Sequence, residues 1–466
     1  MVETTGEYPP RAERDLRPLY IEGYAGQLSY RAGDEVQLHV STSASSFDLE
    51  VARVGAEREV VWRQEGIKGA AYDIPEYASS QGCGWPPAHA FGVGHDWRSG
   101  YYEVTLSVRD HGGGFTHRTR RRAEGVLHFV VRAAAPGRDS KMLLQLATNT
   151  YNAYNNWGGY SLYAYHGRGG VQGHRVSFDR PSAGLFGRWE LAFVQWAEGQ
   201  GYRFDYAAND DLEFRPELLE HYRLVLSVGH DEYWSAPMRD HLEAFIAAGG
   251  NAAFFSGNSV CWQVRSEDDG RALVCWKQRF NQDPLYAGGD HALLSTLWSH
   301  HLVDRPENRL TGVGFLYGGY HLSHGQFMNG SGAYTVHRPE HWIYQGTGLQ
   351  QGDEFGGADT IVGYECDGCE FVWQEGLPVP TGRFGTPDNF TILGTCPARW
   401  HPDDSVWYEG WEQGRTGAAT MGLYERGGTV FTAATTDWSH GLAGGDRAVQ
   451  CITRNVLDRL GERPHE

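Results

Sequence analysis

Lysine is scarce in this chain. Only Lys68, Lys141 and Lys277 occur among 466 residues, and none completes a G-x-x-x-x-G-K-[ST] phosphate loop, which excludes P-loop nucleotide chemistry. The spacings G-x-G-x-x-G and G-x-S-x-G are missing as well, which removes the simple dinucleotide-binding and nucleophile-elbow readings. No run of about 18 apolar residues exists, so no membrane-spanning helix is expected. Met1 to Tyr20 mixes Glu, Arg and Pro without an apolar segment and does not read as a secretory signal; a soluble, cytoplasmic protein is expected. Basic side chains are outnumbered, 40 against 58 acidic, for a net charge of −18. A polyanion would be repelled, so nucleic acid is not an expected partner.

Cysteine is also sparse, seven residues and an odd number, which does not suit a disulfide framework. Cys366 and Cys369 form one C-x-x-C with only Cys396 nearby. A structural zinc site needs more ligands at short spacing, and buried, inert thiols are the favoured reading. What is abundant is glycine, 62 of 466 residues against a usual ~7%, together with 13% aromatics. Tight turns and flat stacking surfaces, taken alone, suit a carbohydrate-binding or glycan-processing protein.

The pattern along the chain divides it into an N-terminal extension over 1–18, an all-β unit over 19–135 and an α/β unit over 141–466 with an insertion at about 260–425. In the first unit Val36, Leu38 and Val40 alternate with polar neighbours, as do Phe47, Leu49 and Val51, then Tyr102, Val104, Leu106 and Val108; Leu127 to Val131 closes the unit. This is the period-two signature of strands with one buried face, and a β-sandwich of roughly seven strands is expected. Beyond the Pro136-Gly137 linker, short apolar strands at Met142–Ala147, Tyr202–Tyr206, Leu224–Val228 and Ala252–Phe255 alternate with helices. Leu191–Trp196 reads as one helix. The clearest starts after Ser235 as cap and Pro237 in the first turn, with Met238, Leu242, Phe245 and Ile246 on one face. A strand at Thr429–Ala434 and a helix with Val449, Ile452, Val456 and Leu460 on one face end the chain. Such a rhythm implies right-handed crossovers and a parallel sheet whose ligands sit beyond the carboxyl ends of the strands. The Gly-, Trp- and His-rich stretch from Val260 to Gly414 reads as long loops and extra strands packed over that sheet.

Three polar segments stand at strand ends: Thr148 to Gly159, Gly229-His230-Asp231-Glu232-Tyr233-Trp234, and Ser256 to Trp262. Three ionisable groups in a row where burial begins need a compensating partner, and a cation is the obvious one. His230 and Glu232 project the same way from extended backbone. The competing reading, of equal weight, is that Asp231 or Glu232 caps the following helix. His291, His300, His301, His321 and His324 could offer another metal site, but surface or structural roles are favoured because none adjoins a strand end.

The segments ATNTYNAYNNWGGYSLY, SVGHDEYWS, FFSGNSVCW, VGYE and TTDWSHGL, in this order from about residue 141 to 460 and with IEGYAGQLSY before them, resemble the N,N-dimethylformamidase large (beta) subunit family over nearly the whole chain. The resemblance implies an amide hydrolase with one ferric ion (Fe3+) held by two tyrosines and a glutamate, on a domain similar to the class I glutamine amidotransferases, a flavodoxin-like parallel sheet. Carried over by position, Glu232 matches the carboxylate ligand and Tyr151 one phenolate; the other comes from the Ser99-Gly100-Tyr101-Tyr102 segment, with Tyr102 the better match and Tyr101 the reserve. A core position for Tyr102, beside Val104 and Leu106, remains open. His230 matches the histidine next to the ligands, Asn258 a polar residue of the substrate pocket, and Glu365 a catalytic carboxylate. Phenolate and carboxylate are hard donors suited to a small trivalent ion, which can polarise an amide carbonyl and acidify water; Glu365, raised by burial, would be the general base, and His230 would orient Glu232 or protonate the leaving amine. The family works with a small partner subunit and carries a further N-terminal region, whereas this chain starts almost directly at the sandwich, so the partner could be dispensable. The expected protein is an iron-dependent amidohydrolase acting on a small amide or formamide, homo-oligomeric. A glycan-binding protein and a catalytically silent subunit of a larger assembly are the alternatives.

Overall fold

The computed structural model describes residues 19–111, 120–322, 328–400 and 416–464; the expected extension over 1–18 and His324 lie outside them. In Glu35–Thr42, Val36, Leu38 and Val40 are buried while Glu35 and Gln37 are exposed, and Ser46–Val54 buries Phe47, Leu49 and Val51, as the two-residue period of a strand requires. Two sheets result. One has three strands, in the order Ile21–Ala25, Glu35–Thr42, Pro87–Gly92; the other has five, Ser29–Tyr30, Arg120–Val131, Gly100–His111, Ser46–Val54, Arg58–Lys68. They share one apolar cluster that includes Val36, Leu38, Val51, Val104, Leu106 and Phe129, and burying each such side chain contributes roughly 1.5–3 kcal/mol. The sequence pattern implied about seven strands; the very short Ser29–Tyr30 has no room to display a period.

From Met142 onward the chain builds an 11-stranded sheet. Its main path runs Asp205–Ala208, Met142–Leu146, Leu224–His230, Asn251–Gly257, Gly428–Thr432, Thr416–Arg426, Thr391–Arg399, Gly314–Tyr320, Glu365–Gly368. The first five are parallel and the later ones antiparallel. Numbered in chain order, the parallel strands lie 2-1-3-4-5 across the sheet. The helix Ala236–Ala247 is capped by the Ser235 side chain, which accepts from the Met238 amide, and it buries Met238, Leu242 and Ile246; Phe245 is only half-buried. The final helix, Arg447–Leu460, is capped by Asp446 and buries Val449, Ile452, Val456 and Leu460. Among the described residues no helix is long and apolar enough to cross a membrane.

Two expectations change. The strand foreseen at Tyr202–Tyr206 is Asp205–Ala208. The stretch from Val260 to Gly414, expected as long loops and extra strands packed over the sheet, instead places several of its strands within the sheet, as much of its antiparallel half. Gly314–Tyr320 and Glu365–Gly368 are buried at every position, so no alternation marks them as strands.

The two-sheet unit is fastened to the larger sheet by a buried ion pair. Arg53, on Ser46–Val54, donates through Nη1 and Nη2 to both carboxylate oxygens of Glu198 at 3.1 and 2.5 Å, and the Ala56 amide and the Tyr206 hydroxyl also donate to Glu198. Burial disfavours the charged carboxylate, but Arg53 outweighs it and holds Glu198 below its ordinary range. A depressed carboxyl contributes stability that is present above the unfolded value near ~4.3 and is lost as pH falls through the folded one. Arg53→Ala leaves a buried unpaired carboxylate and is expected to cost about 3–5 kcal/mol in urea denaturation at pH 7. The difference between the two proteins should shrink as pH falls below 4; a pH-independent difference would refute the role of the charge.

Candidate functional site

The site forms where Leu224–His230 ends. Gly229 has φ +77°, and a Cβ there would lie 2.5 Å from the Trp189 Cβ, so the position suits glycine sterically and conformationally. The Trp189 ring therefore settles edge-on against His230, with centroids 5.3 Å apart. Beyond the strand, Glu232 turns back toward His230, with Oε2 3.5 Å from Nε2. The second carboxylate arrives from a distant segment: Glu365 Oε2 lies 2.8 Å from the same His230 nitrogen. Gly257 permits this approach, because a Cβ there would meet the Glu365 carbonyl at 2.5 Å. Asn258, in the left-handed region at φ +49°, donates Nδ2 to Glu365 Oε2 at 3.2 Å, and the Tyr320 hydroxyl donates to Oε1 at 3.1 Å. His230, Glu232, Asn258 and Glu365 are all buried, at 1–5% exposure, so their charges act in a medium where water screens little.

Glu232 is ringed by donors. The Tyr163 hydroxyl donates to Oε2 at 2.7 Å, Tyr154 to Oε2 at 3.2 Å, and Trp262 Nε1 to Oε1 at 2.7 Å. Behind Tyr163, the Tyr233 hydroxyl donates to it at 2.8 Å. Lys277 Nζ lies 3.4 Å from the centre of the Tyr163 ring, with Trp262 and Tyr233 also within 5.1 Å. Lys277 is 1% exposed, its ammonium has no hydrogen-bond acceptor among the described residues, and its backbone is left-handed at φ +53°. Attraction to the ring faces and to the Glu232 charge stands in for the missing acceptors.

These contacts divide the protons. Burial opposes charge on Glu365, but His230, Asn258 and Tyr320 outweigh it and hold the carboxyl below its ordinary range. Burial likewise opposes charge on His230, and the Glu365 carboxylate overcomes it, so the imidazole is raised. The two form an imidazolium–carboxylate pair. Glu232 is raised, chiefly by burial and also by the nearby Glu365 charge. The phenols of Tyr154 and Tyr163 are pushed well above their ordinary value by burial and then by Glu232. Asp231 faces away from this group: it accepts from Gln145 and Ser227 and is pushed up to about 6 by burial.

The structure thus gathers His230, Glu232, Asn258 and Glu365 from the sequence reading, with a change for Glu365, expected raised by burial and found lowered by its donors. Tyr102, Tyr101 and Tyr151 are not brought to Glu232. Tyr102 is fully buried between Trp97 and Phe129, and its hydroxyl donates to the Arg98 carbonyl at 2.7 Å. Tyr101 stacks on Phe186 and donates to the Ala183 carbonyl. Tyr151 donates to Glu190 at 2.5 Å, a carboxyl pushed up to about 8 by burial. Nor do Asp231 or Glu232 cap the helix, since Ser235 does.

The residues not foreseen are Tyr154, Tyr163, Trp262, Tyr320 and Lys277. Tyr154 ends the helix Thr148–Tyr154, one turn past Tyr151, in one of the three polar segments at strand ends. Tyr163 is the last residue of the motif ATNTYNAYNNWGGYSLY, in which nothing sets it apart from the other tyrosines; Lys277 carried only the rarity of lysine. His321 accepts the Gly332 amide at Nε2 while Nδ1 lies 2.7 Å from the Pro397 carbonyl, a structural role, and Cys366, Cys369 and Cys396 are buried free thiols. Among the described residues no group of three or more His, Cys, Asp or Glu side chains is placed to hold a metal ion.

Gly229→Ala should destabilise the protein by clearly more than Gly445→Ala. Both glycines have positive φ, +77° and +82°, so both substitutions carry backbone strain of ~1 kcal/mol or more, but a Cβ at Gly445 meets nothing within 4 Å. Equal urea midpoints for the two variants would show that Trp189 does not press on the strand end.

The sequence pattern described as N,N-dimethylformamidase beta subunit-like, C-terminal, matches residues 48–451. An N,N-dimethylformamidase beta subunit from Alcaligenes sp is 30% identical over 135 residues, which are 26% of this chain and 18% of that protein. One from Paracoccus aminophilus is 31% identical over 135 residues, with the same shares. The matched stretch spans under a fifth of the length of either relative. Since the pattern takes in most of its length, the chain belongs to the N,N-dimethylformamidase beta subunit-like, C-terminal family.

Proposed function

We propose that this protein is an amidohydrolase that cleaves the C–N bond of a small amide or formamide. The observation that carries the reading is the pair of buried carboxylates, Glu232 and Glu365, meeting on one nitrogen of His230 in a chain of this family. The 2-1-3-4-5 order of the parallel strands is that of flavodoxin-like doubly wound sheets, in which ligands bind beyond the carboxyl ends of the strands; it supports the amidotransferase-like reading of this domain.

The fit of a ferric ion rests on the donors around Glu232. Tyr154, Tyr163 and Glu232 place three hard oxygens against one another, a set suited to a small trivalent cation. Both phenols are kept protonated by burial and by the Glu232 charge, a balance that a bound cation reverses, since a cation favours the anionic form of each donor. These three residues would hold the ion in place of the set Tyr102, Tyr151 and Glu232. Bound there, iron would supply Lewis-acid polarisation of the carbonyl and acidify a coordinated water.

The remaining steps belong to the chain's own groups. Glu365 accepts a proton from water as the water oxygen attacks the amide carbon. His230, already protonated beside Glu365, gives its proton to the nitrogen as the C–N bond breaks, so the amine leaves neutral. The proton on Glu365 then returns to His230, which restores the pair; carboxylic acid and amine are the products. Asn258 and Tyr320 fix the Glu365 carboxylate so that its free electron pairs face the substrate. Trp189, Tyr364 and Tyr154 wall His230 with ring centroids 5.3–6.2 Å away, which excludes bulk water and leaves surfaces suited to short alkyl groups. The relatives are named as beta subunits, and a small partner subunit for this chain, with a homo-oligomeric assembly, belongs to the same proposal.

Purified protein should hold close to one iron per chain and show a visible phenolate-to-iron charge-transfer band. Tyr154→Phe and Tyr163→Phe should each weaken or shift that band and abolish turnover, whereas Tyr151→Phe and Tyr102→Phe keep the colour; the opposite pattern would return the ligands to the latter pair. Glu365→Gln should retain iron while amide hydrolysis falls by about 10²–10⁴-fold. Iron-free protein with full amidase activity would end the metal reading.

A further inference from the structure

The rim of the site carries a cation that the reaction above does not use. Arg188, on the short helix Phe186–Trp189, is exposed, and among the described residues its guanidinium has no carboxylate partner. It lies 4.6 Å over the Trp189 ring. That ring stands edge-on to His230 and stacks on Tyr364 at 6.0 Å, so the guanidinium caps the aromatic wall from outside. Its charge reaches inward, acting on His230, Tyr364 and Asp437. In a chain of net charge −18, exposed arginines commonly find acidic partners, as Arg58, Arg63 and Arg98 do. This one instead remains exposed, over the face of the ring whose edge meets His230. A guanidinium placed over an indole face keeps its N–H fork free to meet a carboxylate in a bidentate manner.

Building on the amide-hydrolase reading, we infer that the substrate carries an anionic group, a carboxylate beyond the scissile amide, and that Arg188 binds it at the rim while the amide reaches His230 and Glu365. Trp189 contacts both Arg188 and His230, so one short acylated amino acid or similar N-acyl acid would engage both. Carbon–nitrogen cleavage then yields a second carboxylate, which leaves past the same guanidinium.

Steady-state kinetics with N-formylglycine against the neutral N-ethylformamide test the inference. The wild-type protein should prefer N-formylglycine by about tenfold or more in kcat/KM at low ionic strength, the range of one charge-assisted contact, and added salt should erode that preference. Arg188→Gln should lower kcat/KM for N-formylglycine through KM, by a factor about tenfold larger than for N-ethylformamide, and Arg188→Lys should recover part of the loss. No preference in the wild type, or equal losses for both compounds in Arg188→Gln, would overturn the inference and leave amide hydrolysis standing. If neither compound is turned over, the amidase reading fails for these amides, and titration calorimetry with N-formylglycine decides the anion site by itself. Binding at least tenfold weaker in Arg188→Gln than in the wild type supports it; equal binding, or none, overturns it.

Discussion

Two carboxylates and an imidazole share a space from which water is excluded, and the surrounding architecture compensates that burial. An isolated buried carboxylate is too costly to keep ionised, and removing one partner of a buried pair leaves the other uncompensated. Here the compensation is divided. Glu365 is neutralised by His230 and fixed by Asn258 and Tyr320. Glu232 is met by two phenols and an indole, with the Lys277 charge behind the Tyr163 ring. The unequal treatment pushes the two carboxyls in opposite directions, the condition for separate roles in proton transfer.

Bringing those groups together requires three parts of the chain to converge. The parallel half of the sheet ends its strands at His230 and Gly257, which are paired in register. The antiparallel half returns Glu365 to that edge: its strand pairs with Gly314–Tyr320, and the Cys366–Thr435 bridge ties it back to the parallel side. The small sheet of Tyr233–Ser235, Trp262–Glu267, Ala272–Val274 and Arg175–Ser177 carries Trp262 and Tyr233 to the far side of Glu232. The two-sheet unit is held against this frame by the Arg53–Glu198 pair, and His128 from that unit meets Tyr151 edge-on. Tyr151 thus belongs to the seam between the units, which is where its hydroxyl meets Glu190.

Much of the frame was legible in advance. Period-two alternation located the strands of the two-sheet unit, and period 3.6 with Ser235 and Pro237 located the helix Ala236–Ala247, because one buried face imposes its spacing on the residues. The antiparallel half of the large sheet was not legible for the same reason in reverse: strands buried on both faces have no polar phase to reveal them. Family motifs singled out His230, Glu232, Asn258 and Glu365, which the fold brings together, since each adjoins a strand end or sits in a short distinctive segment. They misdirected the phenols, where several tyrosines stand within a few residues of each other and position in a motif does not say which one reaches the carboxylate.

The sequence by itself determined the local elements, the run of ionisable residues at the end of Leu224–His230 and the membership of a family. The tertiary structure decided which side chains share that site. Tyr154 and Tyr163 face Glu232 because a helix end and a returning loop aim them there, and Lys277 lies behind them because its segment packs beneath the Tyr163 ring. Secondary structure follows from the near neighbours of each residue, whereas the distance between two oxygens depends on every strand pairing between them.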